Sequence, residues 1–199
     1  YRLDEAGRTA SQAVALYRSV RETHLEGSSL IKKSIALGED GRHQDAIAAV
    51  RSGLSRIDAA RDPRLLLIGK HNLSLELIEC GRWAEAGQLI EELGPLYQEA
   101  GDVPLLARFH WLQGLFARCL GQLTTAEARL SEAREAFLEH GLGAYVFAVS
   151  LDLAEAHARA GRPQRTREIL GEVIPLGEAA GFRREILAAR LLYEQASRA

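Results

Sequence analysis

The side chains best suited to chemistry are six histidines, two cysteines and a few neighbouring carboxylates. Catalysis by acid–base or nucleophilic attack needs a base within hydrogen-bond reach of its target and a third group to orient it. His24, His43, His71, His110, His140 and His157 are scattered and complete no such set. The chain has no HExxH, glycine-rich phosphate loop or GxSxG, and Gly69-Lys70 lacks the upstream glycine of a P-loop. His71 and His110 with Cys80 or Cys119 would be the start of a metal site, but the spacing supplies no full ligand set. Cys80 and Cys119 form neither a CxxC motif nor a disulfide framework, and read as small buried hydrophobes in a reducing compartment. Glu91-Glu92 and the Glu132, Glu135 pair read as solvated helix faces. Asn72-Leu73-Ser74 matches a glycosylation sequon but falls mid-helix beside the core. The expectation is a protein that is not an enzyme, with no cofactor and no metal.

Composition narrows the alternatives to binding. The 199 residues are 47% hydrophobic and only 6% aromatic, which gives a core of Leu, Ala, Ile and Val suited to helices. Net charge is −2 with both signs interspersed, so no basic footprint for direct nucleic-acid binding exists. No apolar run reaches the roughly 18 residues of a membrane span. These features place the chain in the cytoplasm, away from the membrane. The sequence has no Met and starts with Tyr1 at a repeat position. It reads as a fragment from which a signal, anchor or effector domain is missing upstream.

What positions the candidate residues is a repeat. Gly41, Gly81, Gly121 and Gly161 stand 40 apart, each followed by Arg or Gln. Five residues on comes a small residue, Ala46, Ala86, Ala126 and Thr166. Extending the period backwards puts Tyr1 in the glycine column. A second column, Gly101, Gly141 and Gly181, marks the other turn of each unit, where glycine accepts the left-handed conformation. Further columns are uniformly apolar (Ala10, Val50, Ile90, Leu130, Leu170) or uniformly small (Ser34, Ser74, Gly114, Ala154). Such columns mark helix seams and close crossings.

About ten helices follow from the two punctuation columns. They run from Arg2 to about Val20, then from an opening at Gly27-Ser28-Ser29 to the break at Gly38, and from His43 to Ala59. Next come Leu65 to Cys80, Trp83 to Ala100, Leu105 to Leu120 and Leu123 to His140. The last three are Ala144 to Ala160, Pro163 to Ala180 and Arg183 to about Ser197. Asp62-Pro63 and Asp102-Val103-Pro104 are helix-start signals. Pro95 and Pro175 share a column inside helices and predict a kink or an early end there.

These columns resemble the tetratricopeptide repeat (TPR). The family pattern has a small residue, a glycine seven later, a large residue two beyond it, and a small residue five beyond the glycine. The best unit reads Ser74, Gly81, Trp83 and Ala86; the next reads Gly114, Gly121, Leu123 and Ala126. His43, Pro163 and Thr166 depart from the pattern. The usual unit is about 34 residues, so units of 40 carry extra residues. The resemblance covers 1–199 and is greatest to bacterial multi-TPR regulatory proteins. It implies an all-α fold, a single right-handed α-solenoid of antiparallel helix pairs, with 181–199 as a C-terminal capping helix.

The resemblance also implies a site. First helices line the concave face of a TPR solenoid, which would place Ile31, His71, Trp111 and Leu151 in one row. Lys32, Asn72, Leu112 and Asp152 fill the next, then Ile35, Leu75, Leu115 and Glu155. Trp111, Leu75, Leu112 and Leu115 would form an apolar floor for an amphipathic helix, flanked by Arg108 and Arg118 as carboxylate receptors. Asn72 alone offers the amide with which related proteins hold a ligand's backbone. The candidate partner-binding residues are therefore His71, Asn72, Leu75, Arg108, Trp111, Leu112, Leu115, Arg118, Asp152 and Glu155. The implied function is a scaffold that binds a partner protein, peptide or helix in this groove, with homo-oligomerisation compatible. The alternative is a ligand- or peptide-sensing module of a larger bacterial transcriptional regulator.

Overall fold

The computed structural model describes residues 2–198, and these form ten α-helices with no strand among the described residues. They are α1 (Arg2–Ser19), α2 (Thr23–Glu39), α3 (His43–Leu54), α4 (Pro63–Glu79) and α5 (Trp83–Ala100), then α6 (Val103–Cys119), α7 (Leu123–Glu139), α8 (Gly143–Arg159), α9 (Pro163–Ala180) and α10 (Arg183–Arg198). The chain divides into two compact units, Tyr1–Ala100 and Gly101–Ala199.

In each unit consecutive helices pack on one another, α1 through α5 in the first and α6 through α10 in the second. Short turns make such neighbours antiparallel. α2 also touches α4, and α8 touches both α6 and α10, so first helices stack side by side. The first core centres on Ile31, Val50, Leu77, Leu93 and Tyr97. The second centres on Leu130, Phe137, Val149 and Leu170. The small column is fully buried throughout, at 0% for Ala46, Ala86, Ala126 and Thr166. Thr166 fits because its hydroxyl donates to the Ala154 and Arg162 carbonyls, at 3.3 and 3.2 Å.

The repeat glycines do the work of stopping helices. Gly81 has φ +69° and Gly121 φ +73°, and the residue after each donates back to the carbonyl five before it. Arg82 N reaches Leu77 O at 2.8 Å and Gln122 N reaches Ala117 O at 2.9 Å. This is a Schellman closure, which needs the left-handed residue. Tyr1, the backward extension of this column, lies outside the described residues. Arg82 then pairs with Glu85 and Arg42 with Asp45 in the following helix's first turn, where an acid also suits the helix dipole. Asp62 and Asp102 cap α4 and α6, accepting from Leu65 N and Leu105 N at 2.8 Å.

Two sequence expectations are corrected, and of the kink or early end expected at Pro95 and Pro175 the early end does not occur. Gly27-Ser28-Ser29 does not open a helix: α2 begins at Thr23 and Gly27 lies buried within it. A Cβ on Gly27 would fall 2.8 Å from the Gly53 carbonyl oxygen, so the glycine serves a close crossing of α2 and α3. α3 ends at Leu54, not Ala59, because Asp58 folds the next residues into a turn, accepting from Ala60 N and Arg61 N. Neither Pro95 nor Pro175 ends its helix, and α5 and α9 continue to Ala100 and Ala180. Each proline removes a single bond near a helix end, and the freed carbonyls of exposed Glu91 and Gly171 can be met by water.

Candidate functional site

In the second unit, α6 carries Arg108, Trp111, Leu115 and Arg118 at three- and four-residue intervals, which is one stripe of a helix. α8 supplies Asp152 and Glu155, one turn apart. Trp111 Nε1 donates to Asp152 Oδ2 at 2.8 Å. Arg118 Nη1 lies 3.2 Å from Asp152 Oδ1 and also pairs with Glu155 Oε2. The other Glu155 oxygen accepts from Arg159 at 2.7 Å. Asp152 thus bridges an indole and a guanidinium, and the network ties two first helices together.

An aromatic group adjoins it. Trp111 meets Phe137 and Tyr145 edge-to-face, with centroids 6.2 and 6.3 Å apart, and Phe137 stacks on Tyr145 at 5.0 Å. Arg108 lies 5.7 Å above the Tyr145 ring, a cation–π distance. Among the described residues Arg108 has no carboxylate within ion-pair reach, and its guanidinium sits over the Tyr145 ring. Arg118 differs. Its side chain is only 11% exposed and its charge is met by two carboxylates of its own chain. The carboxylates that the sequence reading assigned to a ligand are here internal.

Trp111, Leu115, Asp152 and Glu155 are half-buried, with Leu151 and Tyr145 beside them against the core. Leu112 is 1% exposed and points into the core, so it offers no surface. The first unit holds the other three candidates. His71 is buried, with Nδ1 2.7 Å from the Tyr97 hydroxyl. Asn72 is buried beside it, and its Nδ2 has no hydrogen-bond partner. Leu75 is half-buried. The sequence reading missed Tyr97, Tyr145 and Arg159. Tyr97 was legible, since Tyr17, Tyr97 and Phe137 share a column that aims aromatics from a second helix at its own first helix.

The remaining histidines and cysteines are placed as follows. His43 Nδ1 lies 2.9 Å from Glu76 Oε2. Burial raises the Glu76 carboxyl above its ordinary value, and the His43 bond opposes that. Burial pushes the His110 and His157 imidazoles below their usual values, while Glu132 and Glu127 respectively pull them back up. Cys80 and Cys119 are in no disulfide among the described residues, and they lie half-buried at helix ends, not as the core hydrophobes expected. No cluster of three or more His, Cys, Asp or Glu among the described residues could hold a metal. No helix among them is long and apolar enough to cross a membrane.

No protein-family model matches the chain, and no curated protein does either. Solved structures do. A Rap protein complexed with Competence and Sporulation Factor superposes with a TM-score of 0.77 at 13% identity, covering 94% of this chain and 54% of that one. This chain therefore spans about half the length of the Rap protein. A putative kinesin light chain of nearly identical TPR-like repeats from Podosopora anserina gives 0.61 at 18% identity, covering 90% of this chain and 86% of that one. BtubC (BKLC) from P. vanneervenii gives 0.59 at 18%, covering 100% and 91%. At such identities the likeness is one of fold. With ten helices, a 40-residue glycine period and buried small columns, the chain has the TPR-like helical-repeat fold.

Proposed function

We propose that this chain is a protein-interaction module that holds a partner peptide or helix against the α6–α8 face. The observation that carries the reading is the Trp111–Asp152–Arg118 network. It fixes half-exposed side chains from two adjacent first helices in one arrangement before any partner arrives. Preorganisation of this kind lowers the entropy lost on binding. Trp111, Leu115, Leu151 and Tyr145 offer apolar area, and Arg108 offers a cation at one edge. That combination suits a segment with apolar anchors and an acidic residue, taken up in the helix-in-groove mode.

The test is selection of displayed peptides against the purified chain, followed by calorimetric titration of the winners. Leu115→Asp and Arg108→Glu should each weaken binding about tenfold or more, roughly 1.4 kcal/mol. Both positions have exposed area, so helix content should hold. Unchanged affinity in both variants would remove the face from the account.

A second reading is favoured by the Rap likeness, since that protein was captured with a bound factor. In it the chain is the sensing part of a longer regulator, and the ligand shifts the stacking of first helices. Hydrogen exchange with a selected peptide separates the two. Protection confined to α6 and α8 fits a scaffold, whereas protection spreading across the second unit fits a sensor.

A further inference from the structure

In the first unit, α1, α2 and α3 border an open groove of about 740 Å³. That volume lies within the roughly 300–1,000 Å³ of small-molecule sites. Its room comes from small side chains. Ala48, Ala49 and Ser52 of α3 form one wall, and Gly7 and Ser11 of α1 the other. A Cβ built on Gly7 would sit 3.7 Å from that of Ala36, so α1 runs close over α2 there. The later second helices fill the same columns with longer side chains. Leu89, Arg129 and Ile169 stand at the Ala49 position, and Glu92, Glu132 and Glu172 at that of Ser52.

The charge of the lining also sets this repeat apart. In the next two repeats the glutamate column meets a cation or imidazole of its own first helix, Lys70 with Glu92 at 2.7 Å and His110 with Glu132 at 3.3 Å. Here those two positions are Leu30 and Ser52, both neutral, and the cation stands one turn on, at Lys33. The Lys33 column holds Leu73, Gln113 and Leu153 elsewhere, and both leucines are buried. Lys33 is half-buried in the groove lining, and Arg8 joins it from α1. A third cation, Arg42, is held at 2.6 Å by Asp45. Against Lys33 and Arg8 the lining sets one further carboxylate, that of exposed Asp40 where α2 stops.

We infer that this groove binds a small organic acid with an apolar body, its anionic group held by Lys33 and Arg8 and its body against Leu30, Leu37 and Ala49. The lining carries a net positive charge, which favours an anion. An ammonium and a guanidinium together receive carboxylate oxygens in charge-assisted hydrogen bonds, the guanidinium with a fork that matches them. Leu30, Leu37, Ala36 and Ala49 supply the apolar half of the lining. They favour an acid with a hydrocarbon body over a bare inorganic ion, because they repay the removal of hydrocarbon from water and give nothing back for lost ion hydration. Every residue of this site belongs to the first unit, so α6 and α8 contribute nothing to it.

The test is titration of the 199-residue chain with octanoate, kept below its micelle concentration and followed by calorimetry and ¹⁵N-edited NMR. One saturable site is expected, with amide shifts concentrated on α1, α2 and α3. Octanol, which has the same body without the charge, should bind at least about tenfold more weakly. Acetate, which has the charge without the body, should not saturate. Lys33→Leu installs the residue that Leu73 and Leu153 already place in this column, so the fold should hold while octanoate affinity falls about tenfold. Lys33→Arg should restore most of it. Ala49→Leu, the residue at the Leu89 position, should fill the groove and weaken octanoate and octanol alike, with circular dichroism confirming the fold of each variant. No saturable octanoate binding, equal affinity for octanol, unchanged affinity in Lys33→Leu, or shifts centred on other helices would each overturn the inference.

Discussion

The Trp111 indole and the Asp152 carboxylate, 41 residues apart, are joined by a 2.8 Å hydrogen bond. That separation is one 40-residue repeat plus one residue, so the bond links equivalent stretches of neighbouring first helices. Asp152 also lies 3.2 Å from Arg118. The repeat thereby builds a site that no local motif announces.

Trp111→Phe should keep the ring packing on Phe137 and Tyr145 and remove only the donor to Asp152. A hydrogen bond to a charged group contributes about 1.5–3 kcal/mol. Asp152 is 21% exposed and keeps Arg118, so the expected loss is at the low end, about 1–2 kcal/mol. Urea denaturation of the second unit checks it, and a midpoint equal to wild type would show that water replaces the indole without loss.

Glycines at two kinds of position should fail for different reasons. Nothing lies within 4 Å of a Cβ built on Gly81, so Gly81→Ala suffers only from its φ of +69°. The expected loss is about 1 kcal/mol. A Cβ on Gly114 would fall 2.6 Å from the Leu130 Cγ, so Gly114→Ala should lose about 1–3 kcal/mol through overpacking. The double variant with Leu130→Ala should lose less than the sum of the two single losses, because the second substitution makes the room that the first needs. Strict additivity would mean that α6 and α7 do not cross closely at this point.

The second unit should weaken in mild acid. Burial holds His157 below its ordinary value of 6.5, with Glu127 opposing the shift and Arg162 and Arg165 adding to it. A depressed imidazole means the unfolded chain takes up a proton before the folded one does. Stability is then full above the unfolded value and falls as pH drops through 6.5 toward the folded value. His110 acts in the same direction. The melting temperature should fall between pH 7 and about pH 5.5, and His157→Gln should flatten part of that fall. An identical pH slope in the variant would exonerate His157.

Much of this fold is written in the sequence, because a repeat samples each position several times. Gly41 alone could be any turn, but Gly41, Gly81, Gly121 and Gly161 together fix the helix stops, and all are left-handed. Asp62 and Asp102 act locally and were legible for that reason. Gly27 was read as a helix opening because a glycine that admits a crossing helix looks the same as one at a helix boundary, and only Gly53 opposite tells them apart. Arg118 shows the limit for the site. Its place on the stripe followed from helical spacing, but its neutralisation by Asp152 and Glu155 depends on how α6 and α8 stack, which column arithmetic does not give.

The most direct test of the proposed binding face uses the two tryptophans, Trp83 and Trp111, as internal reporters. Their indole N–H resonances can be followed by ¹⁵N-edited NMR during titration with a selected peptide. The account predicts that the Trp111 signal moves with occupancy while that of Trp83, 47% exposed and outside the face, stays in place. A peptide that saturates the chain and leaves the Trp111 indole unshifted would contradict it.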